Sequence, residues 1–427
     1  MQSIKFLTLG CKVNQYDTQL IREQCLAAGF KEVNRKAQAD ICIVNTCTVT
    51  HKADADSLSI IRRARRDNPA GKIVVTGCLS ELDAGKIRKA SRVDLLVKNR
   101  DKDKFARILL KSLGLSKKPL SGNSFGAGIS FFEGHTRAFL KVQDGCNNFC
   151  SYCKVPLVRG RSRSRDKEDI LKEARRLTQN GFREIVLTGI CLGAYGKDLK
   201  NGIGLAGLID ELEEIDGLLR IRLSSIEVKD LTDSLIKIIA ASKKVCKHLH
   251  IPLQSGDNLI LKKMNRHYNA AGFWEVIKKI KGMIPGIAIT TDVLAGFPGE
   301  SESSFLNTIE LLKKAVPLKV HVFPFSPRPG TLAAGLPGEI PSQTVNKRIA
   351  CLNQAAEACR DKYMRGFAGK EMAVLIENKV VSSPGYWQGY TDNYMRVIIH
   401  SKTNLEKKIV NVKLSKLFGD TFKANFR

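Results

Sequence analysis

The chain has 427 residues, with 70 Lys or Arg against 42 Asp or Glu and a formal charge of +28. This length gives two or three domains with ample core, and so large a positive charge points to a polyanionic partner, RNA, DNA or anionic lipid, with nucleic acid favoured. No apolar run reaches the roughly 18 residues of a membrane-spanning helix, and twelve cysteines are too dilute for a disulfide scaffold, so reduced thiols serving metal are the natural reading.

Residues 1–114 read as a parallel-sheet βα domain. Met1–Gly10 is an opening strand rather than a targeting leader, and a cytoplasmic protein without membrane attachment is expected. Strands at Ile4–Leu9, Ile41–Val44, Ile73–Thr76 and Val93–Val97 alternate with helices at Asn14–Ala28, Ala55–Arg66, Leu82–Ala90 and Lys102–Leu113. Cys11, Cys47 and Cys78 each stand just past the carboxyl end of a strand, in LTLGC, IVNTC and VVTGC. Parallel strands carry those ends to one edge, where open α/β sheets bind ligands. The three thiols are therefore candidates for one site, against the plainer reading of three turn cysteines. Cys25, in a helix, and Cys42, inside a strand, read as core.

Residues 115–135 form a Ser-, Gly- and Lys-rich linker. From 136 to 366 six strands are expected, at Ala138–Val142, Glu184–Thr188, Leu219–Leu223, His248–Leu253, Ala288–Leu294 and Lys319–Phe325. Helices fall between them at Asp169–Gln179, Leu205–Ile215, Leu231–Ala241, Phe273–Ile280 and Glu302–Ala315. Six βα units suit a partial barrel, open on one side, with its site on the loop face. A helix over about 340–363 holds Cys351 and Cys359, both read as packing residues.

On that loop face, after the first strand, comes Cys146-Asn-Asn-Phe-Cys150-Ser-Tyr-Cys153, a CxxxCxxC pattern. Three thiolates this close can grip three irons of a cubane cluster and leave the fourth open to a ligand. Zinc with a remote fourth ligand and unbridged core cysteines are the alternatives, though no second CxxC occurs. Next comes Arg159-Gly-Arg161-Ser-Arg163-Ser-Arg165, whose guanidinium forks match phosphate. Pairing with nearby carboxylates is the alternative there.

Residues 367–427 switch to short β runs at Glu371–Glu377, Tyr386–Tyr390, Met395–His400 and Lys408–Leu417, a small antiparallel barrel by pattern. Tyr390 and Tyr394 near Lys402 and Lys413 suit base stacking and backbone contact. An ordinary barrel core with a basic exterior is the alternative.

Taken together these residues resemble a known family. CxxxCxxC after a first barrel strand resembles the radical S-adenosylmethionine enzymes. Leu9-Gly-Cys11-Lys-Val-Asn-Gln-Tyr16, with Asn45-Thr-Cys47 and Thr76-Gly-Cys78, resembles the methylthiotransferases among them. The carboxyl-terminal segment with Gly389-Tyr-Thr-Asp-Asn-Tyr394 is similar to the TRAM RNA-binding domain. The LGCKVNQY form is most like the branch that acts on N6-threonylcarbamoyladenosine beside the tRNA anticodon.

The resemblance implies two [4Fe-4S] clusters, one on Cys146, Cys150 and Cys153 and an auxiliary one on Cys11, Cys47 and Cys78. S-adenosylmethionine would supply a methyl group and, after reductive cleavage, a 5′-deoxyadenosyl radical. Sulfur enters at C2 of the adenine. Thr188, Gly189, Ser225, Glu227, Gln254, Asp292, Gly296, Phe297, Pro298 and Gly299 are the expected S-adenosylmethionine contacts. The stretch Thr188–Gly193 reads TGICLG, which departs from the family's glycine–glycine–acid motif. Arg159, Arg161, Arg163, Arg165, Tyr390, Tyr394, Lys402 and Lys413 are the expected RNA contacts. The partners implied are the tRNA anticodon stem-loop, an electron donor and a sulfur donor, with the protein a monomer. The rival readings are action on isopentenyladenosine in tRNA or on a ribosomal protein, and a non-catalytic, zinc-stabilised RNA-binding protein.

Overall fold

The fold is taken from a computed structural model, which describes residues 2–114, 128–200 and 202–426. The first unit runs β1 (Ser3–Thr8), α1 (Lys12–Ala27), β2 (Lys31–Glu32), β3 (Ile41–Thr46), α2 (His51–Asp67), β4 (Lys72–Gly77), α3 (Cys78–Leu82), α4 (Ala84–Ala90), β5 (Leu95–Leu96) and α5 (Phe105–Ser112). Its sheet is parallel throughout, in the order β2-β1-β3-β4-β5. All six residues of β3 are buried, as a central strand covered on both faces requires. Ile4, Phe6, Ile21 and Phe105 fill one side of the sheet, and Val44, Ile61, Val75 and Ile87 the other. Cys25 and Cys42 are buried in these two cores.

The second unit begins with β6 (Ala138–Lys141), the short β7 (Gln143–Asp144), α6 (Val155–Arg159), β8 (Arg163–Ser164) and α7 (Lys167–Gln179). It continues through β9 (Glu184–Thr188), α8 (Leu205–Glu213), β10 (Arg220–Leu223), α9 (Asp233–Ala241) and β11 (His248–His250). After these come α10 (Asn258–Lys263), α11 (Ala270–Met283), β12 (Ala288–Ala295), α12 (Glu302–Ala315), β13 (Lys319–Pro324) and α13 (Ser342–Arg365). Parallel pairing runs β6-β9-β10 and β11-β12-β13. The parallel bridges Ile221–Val245 and Ser225–His250 join the halves. The result is a six-stranded half-barrel, and among the described residues β6 and β13 do not pair. Helices α7, α8, α9 and α11 pack their apolar stripes on its outside.

Helix α1 of the first unit stands against β6. Its Tyr16 is 1 % exposed and belongs to the half-barrel core beside Leu140 and Ile170. The segment before β6 is tied to α1 as well, since Glu23 accepts from the backbone N–H of Ser130 at 2.8 Å. Most of the Ser-Gly-Lys linker lies outside the described residues. Cys359 is buried, whereas Cys351 is exposed, which corrects its reading as a packing residue.

The last unit is a closed barrel of β14 (Glu371–Lys379), β15 (Tyr386–Thr391), β16 (Arg396–His400), β17 (Ile409–Phe418) and β18 (Thr421–Phe426), ordered β14-β15-β16-β18-β17. Four of its pairs are antiparallel, but β16 and β18 run parallel, a departure from the all-antiparallel expectation. Its core takes in Ala288, Leu318, Met364 and Phe367 of the half-barrel unit, so the two share apolar surface.

Candidate active site

Both cysteine sets are placed by sharp turns at strand ends. Gly10, before Cys11, has φ +106°, and a Cβ there would sit 2.8 Å from Asn14 Nδ2 and 3.1 Å from Cys47 Cβ. Gly77, before Cys78, has φ +101° and would meet the Thr46 carbonyl at 2.3 Å. Only glycine adopts these conformations without strain and lets the backbones approach so closely. The turns after β1, β3 and β4 therefore converge, and Cys11, Cys47 and Cys78 share one electrostatic neighbourhood. Burial pushes the Cys47 thiol up to about 11, and Cys78 and Cys11 add to this. Burial also raises Cys78, against the pull of Arg159 and Lys102.

Cys146, Cys150 and Cys153 form the second set. Asn148 N–H donates to Cys146 Sγ and Val155 N–H to Cys153 Sγ, both at 3.4 Å. Arg266 donates to Cys150 Sγ at 3.3 Å. A hydrogen bond with Cys191 draws the Cys146 thiol down to about 7, while burial pushes Cys153 up to about 12. Cys191, in the departing TGICLG stretch, also lies 3.7 Å from Asn148 Nδ2 and 3.6 Å from Asp230 Oδ2.

These donor sets fit iron–sulfur cubes better than zinc. Tetrahedral zinc with bonds of about 2.3 Å would hold its thiolates roughly 3.8 Å apart. Neither cysteine triad has its three sulfurs within 4.8 Å of one another. A cube bound at three corners spreads its thiolates more widely, and N–H donors to the sulfurs are how proteins tune such clusters. Among the described residues the one group that close is His250, Asp292 and His321, on neighbouring strands of the half-barrel.

A buried ion network joins the two sets. Asp17 of α1 accepts from Lys102 at 3.0 Å, Lys141 at 2.5 Å and Arg159 at 3.2 Å. Arg159 also donates to Asp144 at 2.9 Å and to Asn14, and it acts on Cys78 and Cys11. Burial alone would raise the Asp17 carboxyl, but its three cations outweigh that and hold it far below the usual carboxylate range. A second tie comes from the loop after β13, where Arg328 donates to Asp54 at 2.6 Å and to the Thr48 carbonyl, next to Cys47, at 3.0 Å.

The structure corrects part of the expected RNA set. Arg159 is buried and serves the network above, and the half-buried Arg165 is tied to Glu173, to which it donates at 2.7 Å. Arg161 and Arg163 are exposed, and Arg163 lines a cleft of about 340 Å³ together with Arg100. Tyr394 does not offer a free face. Its ring lies under Arg222 at 4.6 Å and Arg137 at 5.4 Å, against His248 at 4.7 Å, and stacks on Tyr390. Both tyrosines thus serve the junction of barrel and half-barrel. Lys402 and Lys413 are exposed.

The expected S-adenosylmethionine contacts divide as well. Ser225 and Gln254 lie at the carboxyl ends of strands, in bridges to His250 and Val293. Thr188 ends β9, and Gly189 N–H faces Ser224 Oγ at 3.4 Å. Glu227 pairs with Arg266, which itself bonds to Cys150. Asp292 Oδ2 accepts from His250 Nε2 at 3.1 Å. Phe297 is fully buried and packs on Tyr152 and Phe325, so it supports the cysteine loop rather than lining open space. In the same turn Gly299 N–H donates to the Gly338 carbonyl at 2.7 Å, Pro298 is buried, and Gly296 lies against Val345. Asp17, Arg266, Arg328 and His321 went unsingled in the sequence.

A half-barrel carrying a CxxxCxxC loop at its first strand end defines a radical S-adenosylmethionine enzyme, which works with an iron–sulfur cluster and S-adenosylmethionine. Residues 140–312 match the Radical SAM superfamily, and residues 3–98 match the uncharacterized protein family UPF0004. Threonylcarbamoyladenosine tRNA methylthiotransferase MtaB of Bacillus subtilis is 38% identical over 97% of this chain and 94% of its own length. The protein of that name from Chlamydia pneumoniae is 40% identical over 88% and 87%. The tRNA-2-methylthio-N(6)-dimethylallyladenosine synthase of Moorella thermoacetica is 33% identical over 97% and 96%. Among solved structures, the radical S-adenosylmethionine methyltransferase TsrM from Kitasatospora setae shares the fold at a TM-score of 0.57 and 14% identity, over 78% of this chain and 77% of its own. The chain belongs to the methylthiotransferase family of radical S-adenosylmethionine enzymes.

Proposed function

We propose that this enzyme converts N6-threonylcarbamoyladenosine beside the tRNA anticodon to its 2-methylthio derivative, with one [4Fe-4S] cluster on Cys146, Cys150 and Cys153 and a second on Cys11, Cys47 and Cys78. The observation that carries the reading is Arg159, which follows the Cys146–Cys153 loop and reaches Cys78, Asn14 and Asp17 of the other unit. Relatives of that specificity, similar over nearly the whole chain, favour the threonylcarbamoyl substrate over the isopentenyl one. When bound, the clusters and S-adenosylmethionine supply radical C–H activation and sulfur, chemistry that no side chain here provides.

The chain's own residues hold and shield that chemistry. Arg266 neutralises charge at Cys150 and is itself oriented by Glu227. Cys191 donates toward Cys146 and Arg159 toward Cys78, where the charge of Lys102 adds to the effect. Thr188, Gly189, Ser225 and Gln254 at strand ends, with Asp292 within β12, would contact the cosubstrate. Arg161, Arg163, Lys402 and Lys413 would meet RNA phosphates. No helix among the described residues is long and apolar enough to cross a membrane, and the protein would act as a cytoplasmic monomer supplied by an electron donor and a sulfur donor. Nucleoside mass analysis of tRNA from a deletion strain tests the substrate. Loss of the methylthio form of threonylcarbamoyladenosine is expected, and unchanged levels contradict the proposal.

A further inference from the structure

Lys12 is the residue after Cys11 and the first of α1, and among the described residues no carboxylate lies within 4.0 Å of its ammonium. Most cations nearby are already spoken for. Arg137 pairs with Glu377 at 2.7 Å, and Arg222 with Glu184 at 2.6 Å. Tyr16, one helical turn on and so on the same face of α1, is seated in the half-barrel core. Lys12 accordingly lies on the half-barrel side of α1, and the half-barrel is open between β6 and β13. Its electrostatic neighbours lie on both flanks of that opening: Arg137 just before β6, and His321 on β13. Arg222, His248 and Tyr394 complete its surroundings. Lys12 is an exposed residue. An exposed cation with no carboxylate partner, set among other cations, is a site for an anion.

This inference rests on the substrate reading above. C2 and C6 of adenine both flank N1, so an arm on N6 lies near the carbon that receives sulfur. Lys12 adjoins the thiol triad assigned to the auxiliary cluster. The threonylcarbamoyl arm ends in a carboxylate, whereas an isopentenyl arm carries no charge. We propose that the Lys12 ammonium receives the carboxylate of the amino-acid arm on the substrate adenosine, and so selects the threonylcarbamoyl nucleoside. A backbone phosphate has the same charge and is the competing source of that anion.

The experiment compares anaerobic binding and turnover of two anticodon stem-loop RNAs by the cluster-loaded enzyme. One carries N6-threonylcarbamoyladenosine, and the other carries its neutral methyl ester. A charge-assisted contact predicts that the wild type binds the acid on the order of 10-fold or more tightly than the ester. Lys12→Met should bind the acid as weakly as the ester, with the ester's affinity unchanged, and Lys12→Arg should restore the preference. Equal binding of acid and ester by the wild type overturns the inference without need of any variant. Equal weakening of both RNAs in Lys12→Met assigns the lysine to phosphate and also overturns it. Turnover of an isopentenyladenosine RNA and of neither test RNA overturns the substrate reading itself, and this inference with it.

Discussion

Arg159 lies six residues beyond Cys153 and donates to Asp17, six residues beyond Cys11, at 3.2 Å. Each cysteine loop thus sends one charged residue to the other across the interface of the two units. Asp17 is wholly buried and Arg159 is 6 % exposed. Removing one member of such a pair leaves the other charged and desolvated.

Arg159→Met is expected to cost about 3–5 kcal/mol of stability, because Asp17 and Asp144 lose a cation in a buried site. Asp17→Asn should cost less, since the amide keeps a hydrogen-bond acceptor for Lys102 and Lys141. Denaturant unfolding of both variants and of the double variant gives the coupling energy. Additive effects would show that the two loops are not joined through this pair.

The RNA face is expected at Arg161 and Arg163, not at Arg159 or Arg165. Changing either exposed arginine to Gln should lower the slope of log affinity against log salt by about 0.7–1. Stem-loop titrations at several salt concentrations measure this. An unchanged slope in both variants would remove that loop from the RNA interface.

Much of the site could be read from sequence because its geometry follows from simple rules. Parallel strands bring Cys11, Cys47 and Cys78 to one edge whatever their separation in the chain, and CxxxCxxC is local. The destination of Arg159 and Arg165 could not be read. A run of arginines shows charge but not partners, and their carboxylates, Asp17 and Glu173, lie on other helices, Asp17 some 142 residues away. Tyr394 looked like a stacking platform because aromatics beside lysines suit RNA equally well, yet Arg137 and Arg222 cover it. Helix α6 escaped notice because Pro156 sits in its first turn, and the polar run of β18 gave no clean alternation. The short α10 has too few residues to show a helical period.

His248 gives the fold an acid limit. Burial, reinforced by Arg222, holds the ring well below the usual histidine range, where it contacts Thr290 and Tyr394. The folded protein keeps it neutral, while the unfolded chain takes up a proton below about pH 6.5. Stability is therefore full above that pH. It falls as pH drops from the unfolded value toward the depressed folded value, by up to about 1.4 kcal/mol per pH unit. His248→Gln should flatten this dependence. Urea unfolding of both proteins between about pH 7.5 and 5.5 tests it; parallel pH curves would contradict a neutral buried His248.

The central claim is that two separate thiol triads each hold a four-iron cube. Anaerobic iron and sulfide analysis of the reconstituted wild type, of the Cys146, Cys150 and Cys153 to Ala variant, and of the Cys11, Cys47 and Cys78 to Ala variant tests it most directly. The prediction is about eight irons per chain in the wild type and about four in each variant. A wild-type count near four, or zinc in place of iron, would contradict it.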